Sequence, residues 1–169
     1  SSLDYSILEI DNLEHFTGKK IVVAKNLIKE ITEACGLKNY KELKTFKGSA
    51  FKKTICYHPF VKMKFDHDVP MLDAQFVNLD QGTGIVHCAP SHGPDDFNLC
   101  LKNNIPSLYT VDSSGLYTKE IPFFEKTHVF KADNIVIDKL KEQEKLLKND
   151  KLNHTYPHSW RSKAPLIYR

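Results

Sequence analysis

The chain has few of the residues from which disulfide frameworks and zinc sites are built. Four cysteines occur among its 169 residues, and no two of them form a Cys-x-x-Cys pair. Such scattered cysteines favour free thiols in a reducing compartment over a disulfide framework or a zinc site. No apolar run approaches the roughly 20 residues that span a bilayer, and no signal peptide is visible. We therefore expect a cytoplasmic protein without a membrane partner.

Neither sign of charge dominates the composition. With 24 basic and 21 acidic residues, the net charge is +3, which permits contact with RNA but does not predict it. Five lysines cluster on the last predicted helix and just after it: Lys139, Lys141, Lys145, Lys148 and Lys151. These lysines either follow a phosphate backbone or solvate the outer face of the helix.

The remaining composition predicts one globular domain of mixed α/β class. Hydrophobic residues make up 41% of the chain and charged residues 27%, which is enough for a sizeable core. Apolar periodicity, caps and turn residues predict the elements. Strands are expected at Tyr5–Ile10, Lys20–Ala24, Phe46–Tyr57 and Ala74–Leu79, and helices at Leu27–Cys35, Pro94–Asn103 and from Asp133 to about Lys148. Gly18 is expected to turn the first hairpin, Asn26 to cap the first helix and Gly36 to end it.

Titratable side chains are densest between Gly82 and Phe97. The sequence there predicts a glycine turn, a short strand at Ile85 and Val86, and a helix that opens at Pro94. Two histidines and two aspartates lie within ten residues in this segment: His87, His92, Asp95 and Asp96. Ionisable groups beside enforced backbone turns are typical of functional sites.

Several of these residues also have a purely structural interpretation. Asp95 and Asp96 fall in the first turn of the predicted helix, where carboxylates stabilise the positive end of the helix dipole. The Thr83 hydroxyl either contacts substrate or closes its own turn, and His92 either contacts substrate or satisfies turn backbone groups. Cys88 lies on a strand that is predicted to be buried, where a thiolate nucleophile is disfavoured.

The predicted strand and helix bring His87 near Asp96. A carboxylate held there can bind an ammonium group, while the histidine can serve as a wall, a proton carrier or a metal ligand. Spacing alone does not choose between these roles. One alternative is a metal-dependent hydrolase that uses His87, His92 and Asp95, but His-x4-His-x2-Asp-Asp matches no zinc spacing that can be defended. We therefore predict no metal.

Two segments together resemble a known family. The first is GTGIVHCAPSHGPDDF, from Gly82 to Phe97, and the second is NHTYPHSWRSKAPLIYR, from Asn153 to Arg169. They are similar to the editing domain of class I isoleucyl-tRNA synthetases and to the segment that leads this domain back towards the catalytic domain. The His-Gly pair at positions 92 and 93 resembles the isoleucyl type, whereas the valyl and leucyl relatives tend to have His-Asp.

The resemblance implies a fold and a domain organisation. The strands are expected to close into a barrel-like β-sheet with flanking helices, as in editing domains of the valyl, leucyl and isoleucyl synthetases. Residues 1–152 are expected to form the editing domain and residues 153–169 the return segment. In that segment His154 and His158 are expected to contact the parent catalytic domain. Trp160 either anchors the same junction or packs locally in the core, and we favour core packing.

Some signatures of this family are missing from the chain. The family's editing pocket uses a threonine-rich strand, and its catalytic domain carries His-x-Gly-His and Lys-Met-Ser-Lys-Ser, none of which occurs here. We therefore expect a piece of a larger synthetase that begins inside the editing domain and has an incomplete hydrolytic site.

The resemblance also implies the chemistry. Asp96 corresponds to the aspartate that binds the α-ammonium of the misattached amino acid, and His87 to the histidine that lines the side-chain pocket and excludes isoleucine. These two are the predicted catalytic residues, and Thr83 and His92 complete the predicted substrate site. The implied activity is post-transfer hydrolysis of valyl-tRNA(Ile), as part of isoleucine–tRNA ligase.

The implied partners are the 3′ end of mischarged tRNA(Ile) and the rest of the synthetase. No cofactor is expected in this chain, because ATP and Mg²⁺ belong to the parent catalytic domain. The alternative function is a tRNA-binding module without hydrolysis.

Overall fold

The computed structural model describes residues 2–11, 16–77, 79, 82–121, 123–151 and 155–167. Contacts divide the chain into two units. Unit 1 comprises residues 1–87 and 142–148, and unit 2 comprises residues 88–141 and 149–169.

A three-stranded antiparallel sheet carries the core of unit 1. β1 (Asp4–Ile10) lies in the middle, between β2 (Lys20–Ala24) and β3 (Tyr40–Lys47). Ile7 pairs with Val22 on β2, and the pairing with β3 shifts register after Ile7. The predicted hairpin is confirmed, because β1 and β2 pair along their length and the Gly18 N–H donates to the Ile10 carbonyl at 2.7 Å.

Helix α1 (Ile28–Cys35) packs its apolar residues against this sheet. Leu8, Val23 and Ala24 are at most 2% exposed, and burial of each leucine or valine side chain contributes about 1.5–3 kcal/mol. The helix ends at Gly36, as predicted, with a left-handed φ of 68°. The predicted Asn26 cap is wrong. Asn26 lies inside a 3-10 turn at Lys25–Leu27, and the Ile28 N–H at the start of the helix donates to the Lys25 carbonyl.

The predicted strand Phe46–Tyr57 is broken in the structure. β3 ends at Lys47, and the chain turns through a 3-10 segment, Gly48–Phe51. The turn brings the Phe51 ring edge-on to the Tyr5 ring at 5.1 Å, so aromatic packing takes the place of a continued ladder. Pairing resumes only in a two-stranded ribbon, where β4 (Ile55–Cys56) lies antiparallel to β5 (Val69–Pro70).

Two further predicted strands are wrong within the described residues. Residues 74–77 and 79 form no ladder, and neither do Ile85 and Val86, the second of which is 52% exposed. A strand requires a hydrogen-bonded neighbour along its length, and the described three-stranded sheet contains β2, β1 and β3 but neither of these segments. Apolar content alone therefore overpredicted strands in this part of the chain.

The mixed α/β class is confirmed by the described elements and by the family match reported below. The described strands form an open three-stranded sheet and a two-stranded ribbon. Closure into a barrel stays a prediction.

Unit 2 contains helix α2 (Pro94–Lys102) and, except for its last residue, helix α3 (Ala132–Glu142). Its buried residues include Cys100 on α2, Ala132 on α3, and Val111 and Phe124 in the loops between them. None of the described helices combines the length and apolarity that a bilayer crossing requires.

Helix α3 departs from its predicted bounds at both ends. It begins at Ala132 after a 3-10 turn that is capped by the His128 ring nitrogen, which accepts from the Phe130 N–H at 3.3 Å. Asp133, the predicted start, lies in the first helical turn. The helix ends at Glu142 and does not reach Lys148, because Glu144 has a positive φ of 53° that helical backbone does not allow.

Candidate functional site

The loop before His87 is fixed on the buried side of the sheet in unit 1. The Tyr5 hydroxyl donates to the Gly84 carbonyl at 2.8 Å, and the Ala24 N–H donates to the Thr83 carbonyl at 2.8 Å. Gly84 is buried and has a φ of 74°, and a Cβ added there would lie 2.5 Å from the Ala24 Cβ. Only glycine meets both conditions, so this position holds the candidate loop against the core.

Gly84→Ala is expected to lower the free energy of unfolding by about 3 kcal/mol. The left-handed backbone contributes about 1–2 kcal/mol of this loss, and the contact with Ala24 contributes the rest. Gly82→Ala is the matched control, since Gly82 has a similar φ of 75° but nothing within 4 Å of an added Cβ. Urea unfolding of both variants measures the difference, and equal losses would contradict the close approach at Gly84.

The Thr83 side chain bonds to its own turn. Its hydroxyl donates to the Ile85 carbonyl at 3.0 Å and accepts from the Ile85 N–H at 3.3 Å. This is the geometry of a local side-chain turn. A contact between this hydroxyl and substrate, which the sequence left open, stays a prediction.

His87 is exposed and lies in unit 1, where its electrostatic field reaches His58. The His58 ring stacks on Phe65 at 4.9 Å and lies 5.3 Å from the His67 ring. Its Nδ1 accepts from the Phe60 N–H at 3.0 Å. Burial, followed by the fields of His67 and His87, lowers the pKa of His58, so this ring is neutral at physiological pH.

The depressed pKa of His58 predicts a loss of stability in mild acid. The folded state resists protonation of this ring, so its contribution is complete above the unfolded pKa of about 6.5 and is lost as the pH falls towards the lower folded value. His58→Phe keeps an aromatic ring against Phe65 but cannot titrate. We expect the urea midpoint of the natural protein to fall more between about pH 7.5 and pH 5.5 than that of the variant, and parallel changes would contradict the assignment.

Asp96 lies in unit 2, in the first turn of α2. The helix begins at Pro94, as its sequence predicted, and Gly93 occupies the N-cap position in extended backbone. The half-buried Asp96 carboxylate accepts from the Ala89 N–H through Oδ2 at 3.0 Å, whereas Asp95 beside it is exposed. Asp96 therefore does more than stabilise a helix end, because it ties the preceding turn to the helix and its orientation is set before any ligand arrives.

The negative charge of Asp96 acts on two neighbouring thiols. Burial first, and the Asp96 field second, raise the pKa of Cys88 and Cys100. Both are therefore protonated at neutral pH and are poor nucleophiles. Cys88 is therefore a poor nucleophile, as expected. The cause is partial burial beside the Asp96 carboxylate, because Cys88 does not lie on a strand.

His92 closes the turn that leads into α2. Its backbone N–H donates to the Ala89 carbonyl at 3.0 Å, and its side chain is exposed. Next to it, the Ser91 and Ser107 hydroxyls lie 2.6 Å apart. The backbone of His92 thus has the turn role that the sequence allowed, while a contact between its ring and substrate stays a prediction.

The predicted site residues are divided between the two units. Thr83 and His87 belong to unit 1, and His92, Asp95 and Asp96 belong to unit 2. Their common role in one site stays a prediction. Over the described ranges, no three His, Cys, Asp or Glu side chains are grouped so that they could hold a metal ion.

Sequence reasoning missed the histidine group of unit 1. The backbone bond and ring stacking of His58 fit a structural role. His67 was not singled out, because Asp66-His67-Asp68 resembles an ordinary exposed loop. No local signal could have placed His67 beside His58, since their proximity depends on the turn at residues 61–64.

Known proteins resemble this chain over nearly its whole length. Residues 11–151 match the family described as leucyl-tRNA synthetase, editing domain. The chain belongs to this family of editing domains. Asp96, His87, Thr83 and His92 all lie within the matched range, as does the histidine group of unit 1.

Curated relatives of this editing domain include isoleucine–tRNA ligases. The ligase from Pelagibacter ubique is 61% identical over 168 residues, which is 99% of this chain and 19% of that protein. The ligase from Brevibacillus brevis is 40% identical over 167 residues, 99% of this chain and 17% of that protein. The ligase from Enterococcus faecalis is 40% identical over 152 residues, 90% of this chain and 16% of that protein. The chain thus spans less than a fifth of the length of these relatives.

Proposed function

We propose that this editing domain hydrolyses the ester bond between tRNA(Ile) and a wrongly attached valine, within an isoleucine–tRNA ligase. Membership of the editing-domain family carries the proposal, and the identities to isoleucine–tRNA ligases support the choice of tRNA(Ile). The partners are then the 3′ end of the mischarged tRNA and the remaining part of the synthetase. In the complete domain, we propose that the strands close into a barrel.

Asp96 is proposed to bind the α-ammonium of the misattached amino acid. Its carboxylate is already oriented by the Ala89 N–H, so little ordering is required when the substrate arrives. An ion pair at this point fixes the ester carbonyl with respect to the attacking water, and such positioning lowers the barrier of a bimolecular step.

His87 is proposed to form one wall of the amino-acid side-chain pocket. A pocket sized for valine rejects isoleucine by one methylene, whereas the synthetic site binds the smaller valine nearly as well as isoleucine. Because one methylene changes binding by only about 1–3 kcal/mol, a second site of opposite size preference is needed for fidelity.

The proposed reaction consumes one water molecule. The water oxygen attacks the ester carbonyl carbon, the bond from this carbon to the ribose oxygen breaks, and a proton passes from the water to that oxygen. The products are valine and tRNA with a free terminal hydroxyl. No cofactor is required for this step, and ATP and Mg²⁺ would serve the catalytic domain of the parent enzyme. His87 and a substrate hydroxyl are the two candidates for the general base.

The first experiment is deacylation of valyl-tRNA(Ile) by this chain, with isoleucyl-tRNA(Ile) as the control. Selective release of valine supports the proposal. If tRNA binds without turnover, the same assay is repeated with the chain extended by the residues that precede it in the parent protein. Turnover in the longer protein alone assigns the missing groups to the preceding segment, whereas binding without turnover in both contradicts the hydrolase and favours an RNA-binding module.

A further inference from the structure

Residues 156–166 form a small hairpin in unit 2, here called the tail hairpin. The Ser159 N–H donates to the Ala164 carbonyl at 2.9 Å, and the Leu166 N–H donates to the Pro157 carbonyl at 3.0 Å. The Tyr156 hydroxyl closes the base with a 2.8 Å bond to the Leu166 carbonyl. The tip of the hairpin is therefore held by bonds of its own.

The tip presents an aromatic ring and a cation to solvent. Trp160 is 79% exposed, so the expected core packing of this side chain is wrong. The Arg161 guanidinium lies over the indole, with its central carbon 5.3 Å from the ring centroid. A cation at this distance is attracted to the face of the ring, so the exposed indole carries a positive charge beside it.

The serines of the tail hairpin accept hydrogen bonds from the backbone of its tip. The Ser162 N–H donates to the Ser159 Oγ at 3.3 Å, and the Ala164 N–H donates to the Ser162 Oγ at 3.3 Å. Local side-chain turns of this kind hold the backbone around Trp160 and Arg161 without help from distant residues. A ligand that stacks on the tip therefore has little backbone to order.

The charged side chains of the tail hairpin itself have one sign. No Asp or Glu occurs from residue 151 to residue 169, and the hairpin itself carries Arg161 and Lys163. Both basic side chains are exposed. The complementary ligand is therefore an anion that also offers a flat aromatic face, which is the chemistry of an unpaired nucleotide.

We propose that the tail hairpin binds single-stranded RNA, with one base stacked on Trp160 and the neighbouring phosphates held by Arg161 and Lys163. An acidic protein surface would satisfy the cations but leave the indole face without a flat partner, so the observations favour RNA. The choice of RNA over other single strands rests on the proposed editing function.

Titration with a ribo-oligonucleotide of about eight adenosines tests the proposal in the 169-residue protein. Trp160 is the only tryptophan of the chain, so quenching of the intrinsic fluorescence reports stacking at this position directly. With a dye-labelled oligonucleotide, Trp160→Ala is expected to weaken binding about tenfold or more, and Trp160→Phe to retain most of the affinity. Tyr109→Ala, which truncates a 61% exposed aromatic elsewhere in unit 2, is the matched control and should change nothing.

The salt dependence tests the phosphate contacts separately. Arg161→Ala and Lys163→Ala should each reduce the slope of log K against log salt by about 0.7, whereas Lys119→Ala, at another exposed position of unit 2, should not. Unquenched fluorescence, or equal affinity of Trp160→Ala and the natural protein, would overturn the proposal and favour a protein contact at this tip. The oligonucleotide carries no aminoacyl ester, so its binding tests the hairpin proposal, whereas deacylation of valyl-tRNA(Ile) tests the hydrolase proposal, and failure of one is distinguishable from failure of the other.

Discussion

Asp96→Asn is expected to slow the deacylation of valyl-tRNA(Ile) about a hundredfold. Asparagine has the size of aspartate, and its side-chain oxygen can still accept from the Ala89 N–H, whose bond to Oδ2 is 3.0 Å in the natural protein. The variant therefore keeps the turn before α2 but loses the charge that we propose to bind the substrate ammonium. Truncating one partner of a close charge pair costs about 2–5 kcal/mol, and about 2.7 kcal/mol of lost transition-state stabilisation corresponds to the expected change.

Asp95→Asn is the matched control for this experiment. Asp95 lies in the same first turn of α2 and gives the same benefit to the helix dipole, but its side chain is exposed. Asp95→Asn should lower the deacylation rate no more than about threefold, and the two variants should have similar thermal unfolding temperatures. Single-turnover deacylation with purified valyl-tRNA(Ile) is the measurement. Equal rates for the two variants would remove Asp96 from the site.

His87→Ala is expected to make the domain hydrolyse correctly charged isoleucyl-tRNA(Ile). If the imidazole forms the wall that excludes the additional methylene of isoleucine, its removal opens the pocket. The discrimination that one methylene supplies is about 10- to 200-fold, and most of it should disappear. Hydrolysis of valyl-tRNA(Ile) should fall much less, because the smaller side chain does not require the wall.

The ratio of the two deacylation rates measures this change. His67→Ala is the control, since His67 is another exposed histidine of unit 1 that lies beside His58. It should leave the ratio unchanged. If His87→Ala instead abolishes hydrolysis of both substrates equally, the histidine serves in proton transfer and not in exclusion of isoleucine.

Elements that depend on neighbouring residues were predictable from the sequence. The pairing of β1 with β2 follows from two β-rich runs around Gly18, and α2 begins at Pro94 because proline is preset for the first helical position. Gly36 ends α1 for an equally local reason, a left-handed cap. The family, too, could be predicted from the segment Gly82–Phe97 and is confirmed by the match over residues 11–151.

Features that depend on distant partners were not predictable in the same way. Apolar runs at residues 74–79 and at Ile85–Val86 were predicted as strands, but their described residues join no ladder, and the described sheet consists of β2, β1 and β3 alone. The exposure of Trp160 also escaped prediction, because aromatic residues are more often buried than presented at a hairpin tip. In both cases the outcome depends on which groups lie beside the residue in the folded chain, and residue type alone does not specify them.

The sequence by itself therefore determined the family, the local turns and helices, and the identity of the candidate residues Asp96 and His87. Only the tertiary structure decided how Gly84 is fixed by Tyr5, 79 positions away along the chain, how Asp96 is oriented by Ala89, and how His58 comes to lie beside His67. The physical reason is that backbone propensity and capping act over a few residues, whereas burial, hydrogen-bond geometry and pKa depend on groups that meet only after the chain has folded.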